Sequence, residues 1–263
     1  MKSILKIAGA VVSCFMAVTQ LANATSTLVD TSTQSSTGFD NNTTAPWFFF
    51  DYRPGYGTYS VVNFGGRPHC MKLYWPATSW DGTRAGKGIE FGGNAVTYKE
   101  GWFGFLFYLP SPGYPKNEGN TIYQVFQNGN CNSWAMLVGV NNGSLTLDYR
   151  SSCGTPVHVD LAGIQYNAWK PLVVHFVASH LNAGLVEVYY NGSKIYSATS
   201  INFGFGTWNS NDTLASGNQL GIAGGQYNSG GVDKTVYFDN ICHLMGNPSG
   251  AYNTVNPGNG SNN

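Results

Sequence analysis

The fold turns on one stretch, Trp134-Ala135-Met136-Leu137-Val138-Gly139-Val140-Asn141-Asn142-Gly143-Ser144-Leu145-Thr146-Leu147-Asp148-Tyr149. Two apolar runs flank Asn141-Asn142-Gly143. Asn-Gly between strand-like runs is the strongest short hairpin signal, because both residues tolerate positive φ. Working outward, Cys131 and Cys153 each lie 11 residues from Asn142. They therefore face each other, within a residue, at the open end of the hairpin, and the spacing predicts a Cys131–Cys153 disulfide. Cys70 and Cys242 then form a second expected pair, tying an early strand to the last one. No C-x-x-C spacing supports a cysteine metal site.

Beyond the hairpin the strand pattern repeats. Phe103–Leu109, Thr121–Gln127, Leu172–Ala178, Leu185–Tyr190 and Thr235–Leu244 are short, rich in β-branched or aromatic residues, and bounded by Gly, Asn or Pro. Asn191-Gly192 marks a second hairpin. No segment keeps a 3.6-residue period over three turns. The expected fold is all-β, a two-sheet antiparallel sandwich of jelly-roll, concanavalin-like type, with a propeller disfavoured by the lack of repeats and a barrel as the other alternative.

The ends read differently. Lys2 and Lys6 precede the apolar run Ile7 to Ala17, and Ala22-Asn23-Ala24 has the small-x-small pattern of a signal peptidase site, so 1–24 is read as a secretory signal. Its removal takes Cys14 with it, leaving an even set of cysteines in an exported chain. Residues 25–45, rich in Ser, Thr and Asn, read as a flexible leader, 46–246 as the β domain, and 247–263 as a flexible tail. Sequons at Asn41, Asn42, Asn142, Asn191, Asn211 and Asn259 predict surface glycosylation. A secreted, extracellular monomer is expected.

Charge is sparse. The 263 residues carry 13 Lys+Arg and 13 Asp+Glu, only 10% of the chain, with 14% aromatics and 34 glycines. That balance argues against disorder and against a nucleic-acid-binding face, and no segment beyond the signal predicts a membrane partner. Without Lys2 and Lys6 the balance is 11 against 13, or −2. Yet Arg53, Arg67, Lys72, Arg84, Lys87 and Lys99 crowd into residues 53–99, which predicts a local basic groove.

Several chemistries are missing. No two acidic residues lie within five positions of each other, which disfavours a glycosidase carboxylate pair on one strand. G-x-S-x-G, H-E-x-x-H and phosphate loops are absent.

What is present has an order. Tyr123-Gln124-Val125-Phe126 is followed by the hairpin, by Trp169-Lys170-Pro171-Leu172-Val173-Val174-His175, and by Gly184-Leu185-Val186-Glu187-Val188-Tyr189-Tyr190-Asn191-Gly192. Leu220-Gly221-Ile222-Ala223-Gly224-Gly225-Gln226-Tyr227 and Val236-Tyr237-Phe238-Asp239-Asn240-Ile241 close the series. From about Gly86 to Ile241 this order resembles the jelly-roll polysaccharide lyases, above all the secreted fungal endo-β-1,4-glucuronan lyases and their alginate-lyase relatives.

The resemblance implies cleavage of a β-1,4-linked polyuronate by β-elimination, glucuronan first and alginate second. It assigns Gln124 as amide donor to the sugar carboxylate and Tyr227 as acid, base or both. The alginate-lyase relatives carry Gln-x-His, whereas Phe126 stands here at the histidine position. His69, in Arg67-Pro68-His69-Cys70, is the replacement base by position, with a structural role beside a disulfide as its competing reading. Arg67, Lys72, Arg84 and Lys87 are the expected substrate-binding cations. His175 and His180 fall in a framework strand, and His158 and His243 lack a supporting motif. The reaction needs no cofactor; the relatives' structural calcium implies Asp239 as a metal ligand. A non-catalytic, lectin-like sandwich and a glycoside hydrolase remain as alternatives.

Overall fold

The computed structural model describes residues 29–30, 49–51, 57–79, 88–96, 99–116, 119–127, 134–202, 204, 208–214, 220–227 and 231–258. Its strands are β1 (Val29–Asp30), β2 (Phe49–Asp51), β3 (Thr58–Phe64), β4 (Arg67–Trp75), β5 (Gly88–Val96), β6 (Glu100–Tyr108), β7 (Asn120–Gln127) and β8 (Trp134–Asn141). They continue with β9 (Ser144–Tyr149), β10 (Val157–Gly163), β11 (Lys170–Val177), β12 (Gly184–Tyr190), β13 (Ser193–Ile201), β14 (Leu220–Tyr227) and β15 (Lys234–Met245), followed by the α-helix α1 (Ala251–Val255).

The strands form two antiparallel sheets. The first has the order β13-β12-β11-β6-β15-β4-β3, with β1 also pairing β15; the second runs β10-β9-β8-β7-β14-β5-β2. The predicted sandwich is therefore present. Both Asn-Gly hairpins form as expected, with Asn142 and Gly143 at φ 48 and 77 and Asn191 and Gly192 at φ 52 and 81. These left-handed pairs match the right-handed twist of the flanking strands.

Rings from both sheets fill the space between them. Phe103 of β6 stacks on Tyr123 of β7 with centroids 4.8 Å apart. Phe91 of β5 meets Phe238 of β15 edge-on at 5.1 Å. Met71, Leu73, Val125, Met136, Val138, Leu147, Val174 and Val188 complete the layer. Such close packing forces period-two alternation on each strand. Burial along β12 accordingly alternates residue by residue, with Val186 and Val188 inside and Glu187 and Tyr189 turned outward.

The chain beyond Gly246 departs from the expected flexible tail. Helix α1 packs Ala251 and Val255 against Trp102, Val173, Cys242 and Leu244 on the outer face of the first sheet. Its apolar stripe consists of two residues four apart, which leaves almost no periodic signal in a Gly/Asn-rich segment. Gly104 makes the docking possible, because a Cβ built there would lie 1.9 Å from the Val255 carbonyl oxygen. Of the expected flexible leader, Val29 and Asp30 pair with His243 and Cys242; the signal segment and the rest of the leader lie outside the described residues.

The expected Cys70–Cys242 disulfide is overturned. Each is a thiol; Cys70 donates to the Val62 carbonyl at 3.2 Å and Cys242 to that of Thr254 at 3.6 Å. The register explains it. Phe238 pairs with Met71, so the next residue across from Cys70 is Asp239, and Cys242 lies three positions farther along. A bulge between Asp239 and Cys242 shortens that advance to about two strand steps, about 7 Å, which with the strand spacing of about 5 Å still exceeds the roughly 7 Å between Cα atoms that a disulfide tolerates. Cys153 is disulfide-bonded, whereas Cys131 lies outside the described residues.

Two measurements check these points. Alkylation of the denatured, unreduced protein followed by peptide mass spectrometry is expected to label both Cys70 and Cys242. Gly104→Ala is expected to destabilise the fold by about 1–3 kcal/mol through overpacking under α1, read as a thermal midpoint lowered by about 2–4 °C per kcal/mol.

Candidate active site

The site grows from alternation along β7. Tyr123 and Val125 point into the core, and a bulge between Thr121 and Tyr123 turns Ile122 inward as well. Gln124 is left on the outward face of the second sheet. Across β14 it stands opposite Ala223, and across β8 opposite Leu137. Glu90 takes the equivalent outward position on β5, between the core residues Ile89 and Phe91.

Gln124 and Glu90 are bonded to each other. The Gln124 side-chain amide donates to Oε1 of Glu90, and both residues are more than nine-tenths buried. A carboxylate accepting from an amide makes a charge-assisted hydrogen bond, strong where water is scarce. It holds the Gln124 side chain in one orientation. Gly225, opposite Glu90, enables the close strand approach: at φ +144 it adopts a backbone that L side chains rarely take, and a Cβ there would meet the Ile89 carbonyl oxygen at 2.4 Å.

On β14 the register sets Tyr227 opposite Gly88 on one side and Thr121 on the other. Position 227 thus has the parity of Gly225, the partner of Glu90. Between them, Gln226 is fully buried opposite Ile89, and neither of its amide atoms has a hydrogen-bond partner among the described residues.

Toward the other edge of the sheet, sequence reasoning missed two features. Phe126 pairs with Trp134, and the Arg150 guanidinium lies 3.8 Å from the Trp134 ring centroid. Nε of Arg150 also donates to the Trp134 carbonyl at 2.7 Å. Farther out, Nδ1 of His158 on β10 lies 2.7 Å from Oδ1 of Asp148 on β9. That hydrogen bond raises the His158 pKa above the ordinary imidazole value, against a smaller opposing effect of burial. The Asn-Gly hairpin alone predicts that Asp148 faces Leu137, but nothing in the sequence marks the register of β10.

Other expected site residues stand elsewhere. Arg67, His69 and Lys72 are on β4, in the first sheet. Arg67 is buried, with Nε bonded to Oδ2 of Asp239 and Nη2 donating to Asn240 Oδ1 at 2.8 Å. This corrects the calcium reading of Asp239: its carboxylate accepts from a guanidinium and, at 2.8 Å, from the Asn240 backbone N–H. Burial pushes the Asp239 carboxyl upward and the Arg67 charge offsets part of that. Among the described residues no cluster of three or more His, Cys, Asp or Glu side chains is placed to hold a metal.

His69 is exposed, with left-handed backbone at φ 55, and its N–H donates to Asn63. Lys72 lies over the Tyr74 ring at 5.8 Å. Lys99 is bonded to Asp212 through its side chain at 3.1 Å and its carbonyl at 2.9 Å. Arg53, Arg84 and Lys87 lie outside the described residues. The described cations of the 53–99 segment therefore do not converge on one groove. His175 sits between Glu187 at 3.0 Å and Glu100 at 3.1 Å on the first sheet. His180 bonds Asp212 at 2.8 Å. Burial lowers the pKa of His243 to about 3.

Against this geometry, the family model described as polysaccharide lyase matches residues 55–242. The crystal structure of endo-β-1,4-glucuronan lyase from the fungus Trichoderma reesei aligns with TM-score 0.60 and 17% identity, covering 82% of this chain and 99% of that one. The alginate lyase vAL-1 from Chlorella virus aligns with TM-score 0.54 and 12% identity, covering 72% and 90%. The cellulose induced protein Cip1 aligns with TM-score 0.54 and 17% identity, covering 78% and 94%. At these identities the structural likeness is one of fold. No curated protein matches the sequence.

The Glu90–Gln124 bond has a measurable consequence. Glu90→Ala leaves a buried amide without its acceptor, and the expected loss of about 1–3 kcal/mol is checked by chemical denaturation.

Proposed function

The chain belongs to the polysaccharide lyase family, and from that premise we propose that it cleaves a β-1,4-linked polyuronate, glucuronan in preference to alginate. One observation carries the site assignment: Gln124, an amide between the apolar neighbours Tyr123 and Val125, is turned outward and fixed by Glu90. An amide has two N–H donors. One is given to Glu90, and the other is offered to the carboxylate of the sugar, where it stabilises the charge that develops as the neighbouring carbon loses its proton.

The reaction needs no water. A base removes the C5 proton, the C5–H electrons form the C4–C5 double bond, the C4–O4 bond breaks, and an acid returns a proton to O4. In glucuronate H5 and O4 lie on the same side, so one group serves both transfers. We assign that group to Tyr227, opposite Gly88 and two residues along β14 from Gly225, the partner of Glu90. An ordinary phenol, with pKa about 10, is a weak base at neutral pH. Lys87, next to that Gly88, is the cation assigned to lower it, with Arg84 as a second substrate contact. Arg67, His69 and Lys72 have no part in this scheme, since they belong to the other sheet.

The signal-like segment 1–24 further supports secretion, and a monomer is the simplest assembly for an enzyme meeting a polymer outside the cell. The test is incubation with glucuronan and with alginate, followed by the ultraviolet absorbance of the unsaturated uronate. A rise is expected, faster with glucuronan. New reducing ends without absorbance indicate a hydrolase, and binding without cleavage indicates a lectin-like sandwich; either result defeats the proposal. Tyr227→Phe is expected to lower kcat by about 10²–10⁴, and Gln124→Ala by about 10²–10³, both with the fold retained by circular dichroism.

A further inference from the structure

One cross-strand ladder crosses half of the second sheet. Gln124 pairs with Leu137, Leu137 with Asp148, and Asp148 with His158. Residues directly opposite each other share a face, so all four stand on the outward side. The ladder ends at β10, the edge strand of the sheet. We propose that His158 is a specificity-determining contact for a second carboxylate of the polymer, distant from the cleaved linkage and engaged in the imidazolium form. This rests on the polyuronate reading of the preceding section.

The geometry fits that role. Three strand spacings separate Gln124 from His158, about 14 Å, so only a ligand longer than the sugar being cleaved reaches both. The His158 side chain is 48% exposed and that of Asp148 24%. Nδ1 is fixed by Asp148, while Nε2 forms a longer ion pair with Oδ1 of Asp160 at 3.6 Å, whose side chain is 76% exposed. So long and exposed a pair is weak, and an incoming carboxylate competes with Asp160 for the Nε2 donor.

The charges around His158 explain the dependence on its proton. From β9 come Asp148 and, two residues on, Arg150; from β10 itself comes Asp160. β13 also approaches β10, but its Lys194 bonds Glu187 at 2.6 Å and its Tyr196 faces the Tyr149 hydroxyl at 3.5 Å. With His158 protonated, two cations balance two carboxylates. With His158 neutral, the group carries one net negative charge and repels a polyanion. The hydrogen bond to Asp148 raises the His158 pKa, so the attractive state is present below that pKa and is lost as pH climbs through it.

The experiment compares wild type, His158→Gln and Asp148→Asn on long-chain glucuronan, with KM and kcat measured separately between about pH 5.5 and 8. Wild-type KM is expected to rise about two- to fivefold across that range, the effect of one exposed ionic contact. His158→Gln is expected to flatten the KM profile, with its effect in KM rather than in kcat. Asp148→Asn is expected to move the midpoint to lower pH. If His158→Gln keeps the wild-type KM profile while glucuronan is cleaved, this inference falls and the substrate reading stands. If wild type neither cleaves glucuronan nor binds it by calorimetry at about pH 5.5, both fall together.

Discussion

The close packing of rings between the sheets is the constraint from which the rest follows. With Phe103 on Tyr123 and Phe91 against Phe238, the inner positions of β5 and β7 are committed to the core. A strand has only two faces, so the residues between them must face outward. Gln124 and Glu90 meet on the outer surface because each is flanked by core residues on its own strand. A slip of one residue in either strand would turn the carboxylate or the amide into the ring-packed layer between the sheets and a ring out of it. Core register and site geometry are thus one property of the molecule.

The outer faces of the two sheets have different uses. On the first, α1 covers Trp102 and Val173, His175 stacks on Trp102 with ring centroids 3.9 Å apart, and Arg67 is committed to Asp239. Breaking such a buried ion pair leaves an uncompensated charge, costing about 3–5 kcal/mol, which keeps Arg67 in the framework. The second sheet instead carries an amide, carboxylates, a histidine and the Arg150–Trp134 stack on its outer face. Burial raises the Cys70 thiol to about 12, with Asp239 adding to the effect, so that chemistry too is silenced on the first sheet.

Strand existence and the hairpins were legible because their signals are local: Asn142-Gly143 and Asn191-Gly192 declare their own backbone. Long-range register was not. The second disulfide failed because pairing four cysteines by elimination ignores that Cys70 stands across from Asp239 rather than Cys242. Among the described residues the cations of 53–99 do not gather in one groove, because closeness in sequence is not closeness in space; Arg67 and Lys99 are bound by Asp239 and Asp212, acids far along the chain. Helix α1 escaped because a Gly-rich segment with only Ala251 and Val255 to bury carries no visible period. That Gln124 finds a partner was legible for the opposite reason: a polar side chain among apolar neighbours needs one, although the sequence did not single out Glu90.

The Glu90–Gln124 pair also bears on the kind of chemistry the sheet can host. A hydrolase of the usual glycosidase type needs two carboxylates on either side of one linkage, one of them protonated. Here the carboxylate at the centre is buried with the Gln124 amide and taken up as its acceptor, which makes it a support for Gln124. The neighbouring position that carries histidine in the alginate-lyase relatives holds Phe126, opposite Trp134, and an aromatic ring there moves no proton. What the centre retains is a fixed amide donor. On the proposed reading the proton transfers belong to a residue on an adjacent strand, and β14 is the strand joined to both β5 and β7.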